Sequence, residues 1–330
     1  MKQRIITGII LIILAVAWLV LCIPGQELSI FVYGLSLICV LAAWEYSQFV
    51  FPNVINDEHF LKSPKGYFQK NSSYALALRT LYTVSVFAGI SFIVNLYYRN
   101  SDLDYPLIED IRINQIFRPS NGSNILYTLF ISSFVWWIVA ACMVLFYPRS
   151  SKIVHFKSVK AITGFLSIVP FYVAMLIIRS QSVGTDFYCG ARTVLSVMML
   201  VWAADSGAYF VGKALGRHKM SPNVSPNKTF EGLGGGILFA LLVFALLTYF
   251  NCYGQAYQQN LTALTVAAVA TVVFSVFGDL WESLLKREGN IKDSGFIFPG
   301  HGGMLDRIDS LLAAIPVFLV VYAAVFRIME

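Results

Sequence analysis

The sequence predicts an all-α, polytopic integral membrane protein with about nine transmembrane helices. Three observations predict it. Charged residues are only 13% of the chain and hydrophobic residues 57%, whereas a soluble domain carries roughly 25% charged residues. The mean hydropathy is +0.68. The apolar residues also fall in long blocks of about 20, enough to cross a ~30 Å hydrocarbon core as a helix rising ~1.5 Å per residue. Strands of a membrane barrel would instead alternate apolar and polar residues over ~10 positions.

The blocks lie at roughly 5–23, 28–50, 75–97, 124–147, 159–179, 193–213, 232–250, 262–283 and 308–328. The first follows Lys2 and Arg4, as a signal peptide would. However, the run exceeds the usual ~7–15 residues and no small-x-small cleavage site follows. A retained first span is expected. The segments 51–74 and 98–123 are too short to build a soluble domain, and no internal repeat is visible.

Charge alternates from loop to loop. Lys2 and Arg4 precede the first span, and Pro24–Glu27 has no base. Lys62, Lys65 and Lys70 follow the second span, while segment 98–123 sets Asp102, Asp104, Glu109 and Asp110 against three arginines. Arg149, Lys152, Lys157 and Lys160 crowd the next connection, and 180–192 is nearly neutral. Lys213, Arg217, Lys219 and Lys228 come next, then an uncharged 251–261, then Lys286, Arg287 and Lys292. With nine spans every basic loop falls on one side. The positive-inside rule makes that side, and the N-terminus, cytoplasmic. The net charge of +6 is therefore read as topology, with no nucleic acid as partner. The five cysteines (Cys22, Cys39, Cys142, Cys189, Cys252) are scattered and form no Cys-x-x-Cys pair. They read as small buried hydrophobes rather than disulfides or a zinc site.

The chemistry gathers in Ser283–Asp309, a polar, glycine-rich stretch between two apolar blocks. Asp279, Glu282, Ser283 and Lys286 stand at i, i+3, i+4 and i+7, one face of a helix. Asp306 and Asp309 share a face at the start of the last span. Carboxylates in a membrane span are costly and rare, and mark function by default. Asp and Glu oxygens suit Mg²⁺, which takes one or two carboxylates plus substrate phosphates and water. Lys286, Arg287, Lys292 and Arg307 would offset phosphate charge, and Gly300, Gly302 and Gly303 let backbone approach a ligand closely. The plainer reading is a loop with topology charges and helix caps; acids, bases and glycines packed together at a span boundary favour function.

Ser283-x-Leu285-Lys286-Arg287, Lys292-Asp293-x-Gly295 and Phe298-Pro299-x-His301-Gly302-Gly303-Met304-x-Asp306-Arg307-Ile308-Asp309 resemble the phosphatidate cytidylyltransferase (CDP-diglyceride synthase) family. The resemblance extends to Asp205–Gly232 and to the multi-span layout. In that second stretch Asp205 and Tyr209 share a helix face. Ser225-Pro226-Asn227-Lys228-Thr229 then leads into a helix N-terminus, where free N–H groups and the dipole favour anions. Lys228 is thus a candidate phosphate ligand, unless Thr229 is merely a cap beside a topology charge. No Walker A motif is present. Gly232-x-x-x-Gly236 reads as close helix packing. Glu45 either faces the site or snorkels to the interface. His301 is placed to touch phosphate or move a proton; His59, His155 and His218 read as solvated loop residues.

The resemblance implies one membrane-embedded domain over 1–330, with N-terminal spans in 1–180 and catalytic spans and loops in 193–330. It implies that CTP and phosphatidate give CDP-diacylglycerol and pyrophosphate, in a bacterial-type inner membrane, with the site facing the cytoplasm. Asp279, Asp306, Lys286 and Asp309 are the expected catalytic residues, with Mg²⁺ on Asp279 and Asp306 and with Asp309 and Asp205 as contenders; a second, monovalent cation is allowed for. Asp205, Ser206, Lys228, Ser283, Arg287, Lys292, Asp293, His301 and Arg307 are the expected substrate-binding residues. A homodimer in the lipid bilayer is the expected assembly. Two rivals stand beside this reading: a CTP-dependent lipid kinase, and an ion-coupled transporter. Against the transporter, no inverted repeat is visible.

Overall fold

The computed structural model describes residues 10, 12–19, 28–52, 73–181, 186 and 188–298 except 101–122, and 302–329. Residues 10 and 12–19 are helical; the rest of the expected first span lies outside the described residues. The other eight spans are all present. They are α1 (Leu28–Val50), α2 (Ser73–Asn100), α3 (Ser123–Leu145), then, after the single turn α4 (Ser151–Val154), α5 (Lys157–Arg179) and α6 (Cys189–Leu215). The strands β1 (Lys219–Ser221) and β2 (Ser225–Thr229) follow, then α7 (Phe230–Tyr249), the short α8 (Gly254–Gln258), α9 (Leu261–Glu288) and α10 (Leu305–Met329). Eight of these helices are long and apolar enough to cross a membrane. The all-α expectation holds apart from the β1–β2 ribbon.

Burial orders the bundle. In α5, 78% of the apolar window is enclosed, against 33% in α2 and α7, so α5 is central and the other two peripheral. Pro170 lies inside α5 and Pro316 inside α10; membrane bundles tolerate such prolines because neighbouring groups satisfy the freed backbone. Two helical hairpins, α6 with α7 and α9 with α10, pack along most of their lengths and against each other.

Local chemistry sets the ends of the second half. Thr229 is the N-cap of α7, its Oγ1 accepting from Gly232 N–H at 3.0 Å. Asn260 caps α9 in the same way, accepting from Ala263 N–H at 2.9 Å. Each cap satisfies one orphan donor of a helix start. Helix α9 stops at Gly289, and Asn290 takes the left-handed conformation (φ 50°). Ile291 N–H then returns to the Lys286 carbonyl at 3.0 Å, a helix-ending turn that Asn tolerates better than most residues.

The α6–α7 seam is tight because it is built from glycine. A Cβ on Gly207 would fall 2.6 Å from Phe239 Cβ and 2.8 Å from the Gly235 carbonyl; one on Gly236 would fall 2.8 Å from the Ala204 carbonyl. The packing reading of Gly232 and Gly236 is thereby borne out, and the seam includes Gly207 and Gly235. Between these helices the β1–β2 ribbon is pinned at both sides. Ser221 Oγ donates to the Val144 carbonyl of α3 at 3.0 Å, and Arg287 Nε donates to the Val224 carbonyl at 3.1 Å.

A leucine at Gly207 should push α6 and α7 apart, with a loss of about 1–3 kcal/mol, read as a lower midpoint of thermal unfolding in detergent.

Candidate active site

The polar loops of both hairpins emerge at one end of the bundle, and their acids and bases meet there. Lys228, the residue before the α7 cap, reaches across to α9. Its Nζ lies 2.7 Å from Asp279 Oδ2 and 3.3 Å from the Val276 carbonyl. The β1–β2 ribbon makes this possible, since it folds the 216–229 connection back over α9. Asp279 Oδ1 accepts from Ser283 Oγ at 3.2 Å, the i, i+4 contact expected on this face. Asp205, from α6, lies within electrostatic reach of both Lys228 and Asp279. It is exposed, as is Ser206, whose Oγ donates back to the Trp202 carbonyl. This half of the site is open: the side chains of Lys228 and Asp279 are 23% and 33% exposed.

The other half is enclosed. Lys286 Nζ sits 2.7 Å from Glu282 Oε2 and 2.8 Å from Asp306 Oδ1. The second oxygen of Asp306 accepts from Gly303 N–H at 2.7 Å, from Ser294 Oγ at 2.8 Å and from Ser294 N–H at 2.9 Å. Asp306 therefore ties the loop to the first turn of α10. Glu45 joins from α1: Leu305 N–H donates to its Oε2 at 2.7 Å, and Ser294 Oγ stands 3.4 Å from the same oxygen. Gln48, one turn on, donates to the Ser294 carbonyl at 2.5 Å. Of the two readings of Glu45, the one facing the site holds; it is buried and not snorkelled. Asp309, between the halves, accepts from Ser310 N–H at 2.7 Å and lies in the field of Asp279, Lys286 and Lys228.

Asp205, Lys228, Asp279, Ser283, Lys286, Asp306 and Asp309 are thus brought together. Arg287 is directed to the ribbon instead. Lys292, Asp293 and Arg307 are exposed at the mouth, where no ion pair holds them among the described residues. His301 and Pro299 lie outside the described residues, as does His59. His155 and His218 are exposed; each meets a carboxylate, Glu288 at 3.7 Å and Glu231 at 2.5 Å. Sequence reasoning missed Ser294, an unconstrained position between Asp293 and Gly295, whose hydroxyl bridges Asp306 and Glu45. Gln48 was missed as well. The available signal was its position one turn beyond an intramembrane acid.

The same end of the bundle carries the described basic connections around 149–160, 213–228 and 286–292. Ser151 donates to Glu288 at 2.7 Å, so the 146–157 connection sits beside the end of α9 and the ribbon. At the opposite end Thr193 Oγ1 donates to the Tyr253 carbonyl at 2.9 Å, Asp186 pairs with Arg192, and Arg179 and Arg327 stand in the last turns of α5 and α10. The lysine-rich connections therefore lie at one end, while the described charges at the other are three arginines and Asp186.

The sequence profile of the cytidylyltransferase family matches residues 2–325. The chain is 35% identical over 323 residues to the phosphatidate cytidylyltransferase of Haemophilus influenzae, covering 98% of each. The enzyme of the same name from Pseudomonas aeruginosa is 40% identical over 184 residues, 56% of this chain and 65% of that one. The Bacillus subtilis enzyme is 41% identical over 163 residues, 49% of this chain and 59% of the relative.

Removing one partner of an enclosed ion pair leaves an uncompensated buried charge. Lys286→Met should lower stability by about 3–5 kcal/mol, while Lys228→Met, at the open half, should lower it by no more than about 1 kcal/mol. Thermal unfolding of the two variants in detergent reads the difference.

Proposed function

The chain belongs to the cytidylyltransferase family, and from that premise we infer that it joins CTP to phosphatidate at the basic end of its bundle. The products are CDP-diacylglycerol and pyrophosphate, and the enzyme is a membrane-embedded nucleotidyltransferase of phospholipid biosynthesis. The observation that supports placing the reaction here is the contact between Lys228 and Asp279. It joins the two stretches that resemble the family into one site.

An oxygen of the phosphatidate phosphate attacks the α-phosphorus of CTP. A bond forms between them as the bond from the α-phosphorus to the bridging oxygen breaks, and pyrophosphate departs. The nucleophile is already anionic, so no strong base is required. The barrier lies in bringing two polyanions together, and positioning with charge neutralisation should dominate. Lys228 stands at the open half with Asp279 as its exchangeable partner, where it can turn to a triphosphate. Lys292 and Arg307 at the mouth, and Arg287 beside the ribbon, would draw in the anionic head groups. Lys286 is held so firmly by Glu282 and Asp306 that its part is to fix the field rather than to travel.

The residues fit a divalent cation. Asp279 is half-open, and among the described residues its oxygens bear only Lys228 and Ser283; Asp205 and Asp309 are close by. Asp306 reaches a metal only through Oδ1, by releasing Lys286. Among the described residues no three His, Cys, Asp or Glu side chains converge as a ready-made metal site. Mg²⁺, which completes its shell with phosphate and water, would supply further neutralisation of the triphosphate.

Sidedness follows from charge. The basic end would face the cytoplasm, where CTP is dissolved, and the N-terminus would lie there too. Phosphatidate would reach the site from the bilayer, past the exposed Asp205 on α6.

With CTP carrying label in the α-phosphate, phosphatidate should become labelled and pyrophosphate should be released in a detergent assay. Label passing only from the γ-phosphate would instead identify a lipid kinase. Asp279→Asn should lower turnover about 100-fold and raise the Mg²⁺ requirement; normal turnover and Mg²⁺ dependence would remove Asp279 from the metal. A cysteine at Lys152 should react with an impermeant thiol reagent only from the cytoplasmic side of sealed vesicles, and the opposite pattern would reverse the orientation.

A further inference from the structure

Glu45 comes from the first half of the chain, far from both polar stretches, yet its carboxylate lies against Ser294, Gly295, Gly303 and Leu305. It is 2% exposed. Oε2 accepts from Leu305 N–H at 2.7 Å, so this side chain, from another helix, caps the start of α10. Oε1 has no hydrogen-bond partner among the described residues. It is enclosed by backbone instead: a Cβ on Gly295 or on Gly303 would coincide with the Glu45 carboxylate, and the Gly295 Cβ would also lie 3.0 Å from Gly303 Cα. Two glycines of the loop thus close around one carboxylate like jaws.

The root of this side chain is rigid. On one side of it Arg79 Nε donates to Ser47 Oγ at 2.9 Å, and the Arg79 guanidinium lies 4.7 Å from the Trp44 ring centre. On the other, Tyr46 Oη and Thr163 Oγ1 of α5 are 2.8 Å apart. Gln48 holds the Ser294 carbonyl. The loop held by Glu45 is the one whose Ser294 and Gly303 hold Asp306, and Asp306 in turn fixes Lys286.

We propose that Glu45 is a positioning residue for cytidylyl transfer, gripping Gly295 and Gly303 and capping α10 so that Asp306 and Lys286 stand in reactive register. The proposal rests on the cytidylyltransferase reading, but the grip itself is measurable without it. Glu45 acts through Asp306 and does not touch substrate, so its removal should reduce kcat while leaving KM for CTP nearly unchanged. The two glycines are required because the carboxylate occupies the space of their missing side chains.

The full-length enzyme in detergent tests this. Glu45→Ala should lower kcat about 10- to 100-fold, the scale of a misplacement of about 1 Å, with KM for CTP within about threefold. Glu45→Gln retains an acceptor for Leu305 N–H and should restore most of the rate. Gly303→Ala alone should be as damaging as Glu45→Ala, because its methyl strikes the carboxylate. In the Glu45→Ala background the same methyl should add little, a non-additivity expected of groups in contact. Wild-type kcat in Glu45→Ala, a glutamine as damaging as alanine, or losses that multiply in the double variant would each overturn the proposal. Hydrogen exchange over residues 302–306 provides a readout independent of turnover. It should accelerate in Glu45→Ala, and unchanged exchange would refute the grip even if a variant proves too unstable to assay. A wild-type enzyme inactive on CTP and phosphatidate, yet protected over 302–306, would fail the reaction reading and leave the grip standing.

Discussion

Lys286 sits between two carboxylates, 2.7 Å from Glu282 and 2.8 Å from Asp306, with all three side chains largely enclosed among apolar helices. Hydrocarbon does not solvate charge, so acids can remain in a membrane span only where something in the protein replaces water. The single ammonium does this for two acids at once. It joins α9, which carries Glu282 and Lys286, to α10, which begins with Asp306. Around it Ser294 and Gly303 supply donors to Asp306, and Glu45 anchors the same loop from α1. The meeting of α9, α10 and the loop between them is organised around this cluster.

The open half of the site is organised by a different device. A two-stranded ribbon, pinned by its Ser221 to the Val144 carbonyl of α3 and by Arg287 of α9, carries Lys228 over Asp279. The glycine seam keeps α6 and α7 close enough for Asp205 to lie near that pair. One half of the site is therefore enclosed and held by internal partners, with Glu45 Oε1 and Glu282 Oε1 left without a hydrogen bond among the described residues, while the other keeps groups whose partners are exchangeable. That division suits a reaction in which charged substrates must enter and leave while a fixed field stays in place.

Much of this is legible in the sequence. Blocks of apolar residues located the spans, because a helix must satisfy its own backbone in lipid. The i, i+3, i+4 spacing of Asp279, Glu282, Ser283 and Lys286 placed them on one face, and their contacts follow that spacing. The Thr229 cap and the Gly232–Gly236 packing were equally local. The ribbon was not legible, because Lys219–Ser221 and Ser225–Thr229 are too short and polar to carry a period. Ser294 was hidden as well: a lone serine in a loop has no signature until its partners are known.

The sequence by itself determined the class of the protein, the helix faces, the alternation of loop charge and the stretches that carry chemistry. Each depends on neighbours a few residues apart or on composition, and both are written along the chain. The tertiary structure decided which acids are held and which are open. It joined Lys228 to Asp279 and seated Glu45 between Gly295 and Gly303. Those contacts span long separations in sequence, and their geometry depends on how α1, α6, α9 and α10 pack. No local period or propensity encodes a meeting of that kind.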